Sequence, residues 1–310
     1  MSNYFKTVLK KTLSAPLMAA YRLKIAEPAV ILAMDGGICS QMNFYLTGEY
    51  YRERGLKVIF DTSWFDSCGK DLDGRFARKL DLPLLFPYLP WEETRSVVKL
   101  GIYRKLFASY GDYEHDISTT WTGYDAPLYL CGYHHNPEDM YSRLFRKTFR
   151  VDTERVLDDR NKAMLEQIRH AGAGATAMHV RRGDLSAYNP VYGHPASAAY
   201  FRAAAESVMT DCKDAKFFVF SDEPEWVRNE LLPKLPAAAD VTVADLNGPE
   251  HGYMDLALMA QCRNQITSQG SHGKFAAMMR DDMSGMVVLC DTPHSACWSH
   301  RFANAKILHV

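Results

Sequence analysis

The stretch "ATAMHVRRGDLSAY" (residues 175–188) runs from apolar residues directly into a knot of charge. Ala175 to Val180 reads as a strand buried on both faces, because a short apolar run bounded by turn signals is what a parallel sheet requires. His179 lies near its end, and Arg181-Arg182-Gly183-Asp184 follows. Upstream, "TERVLDDRNKAMLEQIRHA" (153–171) has helical spacing and ends in Gly172-Ala173-Gly174, which reads as a hinge. Downstream, helices are expected at 196–211, 252–263 and 273–281. They alternate with strands within 215–226, 240–246, 264–271 and 285–291, the pattern of a doubly wound parallel sheet.

A second unit of this kind lies near the start. "AVILAMDGGICSQMNFYLTGEYYRERGLKVIFD" (29–61) reads as a strand, a turn at Asp35-Gly36-Gly37, a helix from Gln41 to Arg54, and a second strand at Val58-Ile59-Phe60. The fold expected is α/β, with two Rossmann-like domains, 1–171 and 172–310, facing a cleft. Residues 62–150, rich in aromatics, prolines and alternating charge, read as short helices and long loops. In open α/β sheets ligands sit outside the carboxyl ends of the strands, which is where the arginine pair falls.

With 310 residues the chain is long enough for two cores. Its net charge of −1 gives no global argument for nucleic acid, so an anionic ligand has to be met by a local cluster. Seven scattered cysteines without a C-x-x-C pair argue against a disulfide framework and a thiolate zinc site, and reduced thiols in a cytoplasmic protein are expected. The opening "FKTVLKKTLSAPLMAAYRLKI" (5–25) has three readings. A packed terminal helix is the plainest. A basic amphipathic lead-in that contacts an anionic membrane surface comes next, and a cleaved signal peptide last.

An arginine offers a fixed fork of donors to phosphate oxygens, and an adjacent glycine lets backbone approach closely. Arg181 and Arg182 are therefore candidates for an anion site. The same letters contain Arg182-Gly183-Asp184, an adhesion tripeptide that would need an exposed extracellular loop. Asp71-Leu72-Asp73 has the form of a D-x-D metal site, yet no apolar strand precedes it, so it reads as a solvated turn. Gly36-Gly37 is no Walker loop, since no Gly-Lys-Ser/Thr follows. His134, His135, His294, His300 and His309 lack metal-ligand spacing and read as surface or packing residues.

The H-x-R-R-G-D sequence at 179–184 resembles the signature of bacterial α-1,2-fucosyltransferases of glycosyltransferase family 11. Related arginine motifs occur in α-1,6- and protein O-fucosyltransferases. Further stretches are similar in the same order. "DGGICSQMNFY" (35–45) resembles that family's G-G-L-G-N-Q-M-F-Q-Y loop, with Gly36, Gly37, Gln41, Met42 and Tyr45 kept. "YGHPASAAYFRAA" (192–204) matches its H-G-x-x-S-x-x-Y-Y segment at His194, Tyr200 and Phe201. "KFFVFSDEPEWVR" (216–228) keeps Ser221, Asp222 and Trp226. "GYMDLALMAQCRNQITSQGSHGKFAAMM" (252–279) resembles the last block, with Ser268 to Phe275 in place of its Asn-Ser and double-Trp part. Cys39-Ser40 stands where the first loop carries Asn.

The resemblance implies a GT-B-like fold and transfer of L-fucose from GDP-fucose with inversion, with no cofactor and no metal. It puts Arg181 on the diphosphate with Arg182 in support. His179 is expected to shape the loop, and Ser221 and Asp222 to contact guanine or ribose. Ser268 and Ser271 fall in the last donor-binding block, with Ser271 placed to offer phosphate donors at a helix start. Gly36, Gly37 and Gln41 belong to the first donor-binding loop. A base has to take the acceptor's proton, and Asp184 and His194 are the candidates, Asp184 reading equally as a brace for the arginines. The expected acceptor is a galactose-containing oligosaccharide or lipid-linked glycan, built into O-antigen or another surface polysaccharide. The expected location is cytoplasmic, in part at the inner face of the membrane. Another linkage, such as α-1,6, and a non-catalytic nucleotide-sugar binder are the alternatives.

Overall fold

The computed structural model describes residues 3–70, 74, 77–111, 117, 128–185, 192–292 and 295–309. Its contacts divide the chain into two units. One comprises Met1–Lys70, Ala77–Pro83 and Tyr88–Leu144, and the other is built mainly from Phe145–Val310.

The first unit holds a parallel sheet of β1 (Ala29–Ala33), β2 (Lys57–Asp61), β3 (Glu93–Thr94), β4 (Ala108–Gly111) and β5 (Leu128–Gly132), in the order β3-β2-β1-β5-β4. Three of these strands and the helix Val97–Phe107 lie inside the stretch expected to be short helices and loops. A five-residue segment such as "LYLCG" is too short for its periodicity to be told from a buried turn, although Leu128, Tyr129 and Leu130 are all buried. β1 sits at the centre. Ala29 and Ile31 pack with Ile59, Leu100, Tyr103 and Tyr129 on one face. Helix Ile38–Arg52 covers the other, where a Cβ on Gly48 would stand 3.2 to 3.3 Å from Val58, Leu32 and Phe60. Gly48 therefore lets that helix lie close to the sheet.

The second unit carries β6 (Ala175–Val180), β7 (Lys216–Ser221), β8 (Asp240–Val243), β9 (Asn264–Ile266), β10 (Val287–Cys290) and β11 (Ala305–Leu308). The order β8-β7-β6-β9-β10-β11 is that of the dinucleotide-binding Rossmann sheet, and every pairing is parallel. Every residue of β6 is buried, Thr176 and His179 among them, as expected of a strand covered on both faces. Its side chains alternate between two cores. Met178 and Val180, with Phe217, Val219, Ile266 and Val288, pack under the helix Ala198–Asp211. His179 points to the opposite face, where a Cβ on Gly273 would lie 2.9 Å from its own. The expected α/β class is observed, with one parallel sheet in each unit taken by itself.

The helix expected over 153–171 is two helices, Thr153–Val156 and Asp159–Ala171. The break is local chemistry: the Asp158 carboxylate accepts from the Asn161 backbone at 2.9 Å and so starts a new helix. Asn161 is buried and exchanges side-chain hydrogen bonds with Asn247 at 3.0 and 2.8 Å. Asn247 also donates to Asp255 at 2.7 Å. Through Met164, Leu165 and Ile168 this helix belongs with the second unit, so residues 145–171, placed with the first domain by the sequence, group with the second.

Burial pushes the Asp255 carboxyl up to about 7 against the lowering effect of the Asn247 donor. Between roughly pH 4, where an unfolded Asp titrates, and about 7, the folded chain keeps a proton that the unfolded chain has lost. Stability from this group therefore falls as pH rises through that window. Asp255→Asn keeps an oxygen for Asn247 and is expected to flatten the slope. Because the carboxyl is half-buried, the gain at pH 8 should be about 1–2 kcal/mol. Urea titrations at pH 5 and pH 8 measure it, and equal losses at both pH values would refute the assignment.

Candidate functional site

In the second sheet the chain proceeds from β6 outward through β7 and β8, then returns to β9 on the other side of β6. The carboxyl ends of β6 and β9 are thus the topological switch point, where a crevice for a ligand is expected. The loops leaving β6, β7 and β9 meet there.

The loop after β6 is stitched to both neighbours. The Arg181 N–H donates to the Ser268 hydroxyl at 3.1 Å, and the Arg182 N–H donates to Asp222 at 2.9 Å. Gly183 fits against the same carboxylate, since a Cβ there would be 3.0 Å from its oxygen. The two arginines then diverge. Arg182 lies over the Trp226 ring, 4.0 Å from its centroid, and donates to the Ala196 carbonyl at 3.4 Å. Arg181 runs instead past Gly270, whose Cβ would come within 2.7 Å of the guanidinium, to lie 5.6 Å from the Tyr192 ring. Gly270 has φ 75°, a left-handed conformation that glycine adopts without strain.

A second cation, not singled out as a site residue from sequence, stands beneath this loop. Lys274 is only 3 % exposed, and its ammonium donates to the carbonyls of Ser268 at 3.0 Å and Gly270 at 2.7 Å. Burial brings it down to about 8, and Arg181 adds to the lowering. Lys274 opens the apolar helix His272–Met279 with Ser271 as its N-cap, so the helix's free N–H groups start at the same loop. The one clue in the sequence is a lysine amid "HGKFAAMM" (272–279), a charge on an otherwise apolar helix.

His179 is buried, its Nδ1 lies 3.3 Å from the Ser268 hydroxyl, and its ring stacks on His272 with centroids 5.4 Å apart. Burial, then His272, Arg181 and Lys274, hold it well below the usual histidine range. It is neutral at pH 7 and shapes the loop without adding charge. Gln269 is fully buried. It donates to the His194 carbonyl, and its own Oε1 has no hydrogen-bond partner among the described residues.

His179, Arg181, Arg182, His194, Ser221, Asp222, Ser268 and Ser271 thus gather at one edge of the second sheet. Ser221 accepts from the Glu223 N–H at 3.0 Å and shapes the β7 turn. The Asp184 side chain lies outside the described residues, as do Asp71, Leu72 and Asp73.

Gly36, Gly37 and Gln41 belong to the first unit, at the carboxyl end of β1. Gly36 has φ 73°, and a Cβ there would stand 2.7 Å from the Ser40 hydroxyl, which bonds to Tyr133. Gln41 is fully buried and makes four hydrogen bonds to backbone: it donates to Gly36 and Lys79 at 3.1 and 2.8 Å, and accepts from Asp81 and Leu82 at 2.9 Å each. Its amide braces the loop. Burial also raises the carboxyls of Asp35 and Asp81, the latter to about 6 against the opposing Arg78 and Lys79.

Residues 107–306 match Glycosyl transferase family 11. The match takes in every motif of the second unit and leaves the 35–45 loop outside it. The chain is 26 % identical over 212 residues to galactoside alpha-(1,2)-fucosyltransferase 1 of Saimiri sciureus, and equally to that of Saimiri boliviensis boliviensis. The aligned part covers 65 % of this chain and 53 % of the relative, so the chain spans about half the length of the curated relatives it matches. Among solved structures, POFUT1 in complex with GDP-fucose aligns with a TM-score of 0.43 and 9 % identity, over 83 % of this chain and 94 % of that one. The wall teichoic acid polymerase TagF aligns with a TM-score of 0.29 and 9 % identity, over 94 % of this chain and 79 % of that one.

Proposed function

We propose that this chain, which belongs to Glycosyl transferase family 11, moves L-fucose from GDP-fucose to the 2-hydroxyl of a galactose-terminated glycan with inversion. The observation that carries the reading is the pair of cations, Arg181 and buried Lys274, held around one loop at the switch point of a Rossmann sheet. Breaking the bond between fucose C1 and the phosphate oxygen leaves both electrons, and a growing negative charge, on GDP. Preorganised cations and helix N–H groups meet that charge without reorganising, the largest single contribution in many transferases.

In this reading Arg181 faces the departing diphosphate, Lys274 and the Ser271 turn support it, and no metal or cofactor is needed. Arg182 acts through the loop it fastens. Ser221 and Asp222 stand at the next strand end, on the side proposed for guanosine. The acceptor hydroxyl forms the new bond to C1 as its proton passes to a base, for which Asp184 and His194 remain the candidates. The acceptor proposed is a galactose-containing oligosaccharide or lipid-linked glycan on the cytoplasmic side of a membrane, destined for a surface polysaccharide.

Incubation of the purified chain with GDP-fucose and lactose, with and without EDTA, tests this reading. Fucosyl-lactose whose NMR spectrum shows a 2-linkage and whose yield is unchanged by EDTA is the expected product. Transfer that requires a divalent cation, or a product of another linkage, would overturn the corresponding part.

A further inference from the structure

Apart from Tyr88 and Tyr110, the exposed large apolar side chains of the first unit lie on or beside two helices. Val8, Leu9 and Leu13 lie on the helix Asn3–Arg22, and Leu23 and Ile25 (70 % and 77 % exposed) follow at its end. Val97 and Val98 (83 % and 73 %) and Ile102 lie on Val97–Phe107, the helix it packs against. The two helices are joined by the buried hydroxyls of Tyr21 and Tyr103, 3.0 Å apart. Leu17, Met18 and Tyr21 form the packed stripe of the first helix, while Leu9, Leu13 and Pro16, at i, i+4 and i+7, form a second stripe facing outward.

The exit from the first helix keeps its apolar residues outside as well. Lys24 takes a left-handed conformation (φ 56°), and the Ile25 N–H returns to the Ala20 carbonyl at 2.9 Å, closing a Schellman turn. In that motif the residue at the Ile25 position commonly packs back on the helix, whereas Ile25 is exposed here.

The charge on this surface is mainly positive, with exposed Glu27 following the first helix. Residues 1–26 contain Lys6, Lys10, Lys11, Arg22 and Lys24, and no Asp or Glu. Lys105 is exposed on the neighbouring helix. None of the five lysines makes an ion pair among the described residues, whereas Arg143, Arg169, Arg202, Arg228 and Lys234, also exposed, each do. A protein partner of ordinary composition would call for mixed charge. An anionic lipid surface satisfies lysines and outward leucines and valines together, the chains entering the headgroup boundary and the ammonium groups meeting lipid phosphate. No helix among the described residues is long and apolar enough to cross a membrane, so the contact would be peripheral.

We infer that the face made by helices 3–22 and 97–107 docks the protein on an anionic membrane surface. Co-sedimentation of the whole chain with phosphatidylcholine vesicles containing about a third phosphatidylglycerol tests it. Binding at low salt is expected to be at least tenfold tighter than to pure phosphatidylcholine, and to weaken as salt rises. Each lysine removed in Lys6→Glu, Lys10→Glu and Lys11→Glu should cost roughly fivefold or more. Leu9→Glu with Leu13→Glu should lose binding without lowering the melting temperature. Should that pair fail to fold, the lysine variants, exposed throughout, and the salt dependence of the unaltered chain decide. Equal binding to neutral vesicles, no binding at low salt, or a lipid-free dimer that Leu9→Glu dissociates would each overturn the inference.

Discussion

Arg181→Ala is expected to lower fucosyl transfer by about 10²–10³-fold, the range seen when one preorganised donor to a developing oxyanion is removed. The effect should appear mainly in kcat, because the charge Arg181 faces in the proposed reaction grows as the sugar–phosphate bond breaks. Stability should change little, since the loop keeps its backbone anchor to Ser268, which needs no side chain at 181. Arg182 supplies the control. Its guanidinium is engaged by Trp226 and the Ala196 carbonyl, so Arg182→Ala should cost about 1–2 kcal/mol of stability and less in rate. Steady-state kinetics with denaturant titrations separate the two. Equal rate losses in both variants, tracking equal losses of stability, would remove Arg181 from its proposed place.

Lys274→Met carries the second large effect. The substitution removes one of two cations at the loop and leaves the Ser268 and Gly270 carbonyls without their shared donor. GDP affinity at pH 7 is expected to fall about tenfold, some 1.4 kcal/mol. The pH profile is the sharper test. With the ammonium brought down to about 8, GDP should bind less tightly as pH rises through that value, and the methionine variant should be flat there. Stability moves the opposite way. Between about 8 and roughly 10.4 only the unfolded chain binds the proton, so the unaltered protein gains stability with pH over that window and the variant does not. An affinity profile unchanged by the substitution would place Lys274 outside the site.

What could be read from sequence follows the reach of each interaction. β6 and its loop were legible because a short, largely apolar run that includes Thr176 and His179 breaks abruptly into Arg181-Arg182-Gly183-Asp184, and the switch point follows from strand order alone. The helix break at Asp158 was hidden: "LDDRN" (157–161) scans as helix until the carboxylate is seen capping Asn161. β5 escapes a sequence reading because the five residues Leu128–Gly132 give too short a period. Gln41 shows the same limit in a motif. Its place in the glycine loop was readable, but its four backbone partners depend on residues 79–82, some forty positions away. The division of labour between Arg181 and Arg182 was equally closed to sequence, since it is decided by Gly270, Tyr192 and Trp226.

The buried lysine has a calorimetric consequence. An anion settling beside an ammonium that titrates near 8 raises that group's proton affinity, so binding at pH 8 draws part of a proton from solution. The heat of GDP binding will then include the ionisation heat of whatever buffer supplies it. Measured in phosphate and in Tris the apparent enthalpies will differ, and their difference counts the protons taken up on binding, a count that should fall in Lys274→Met.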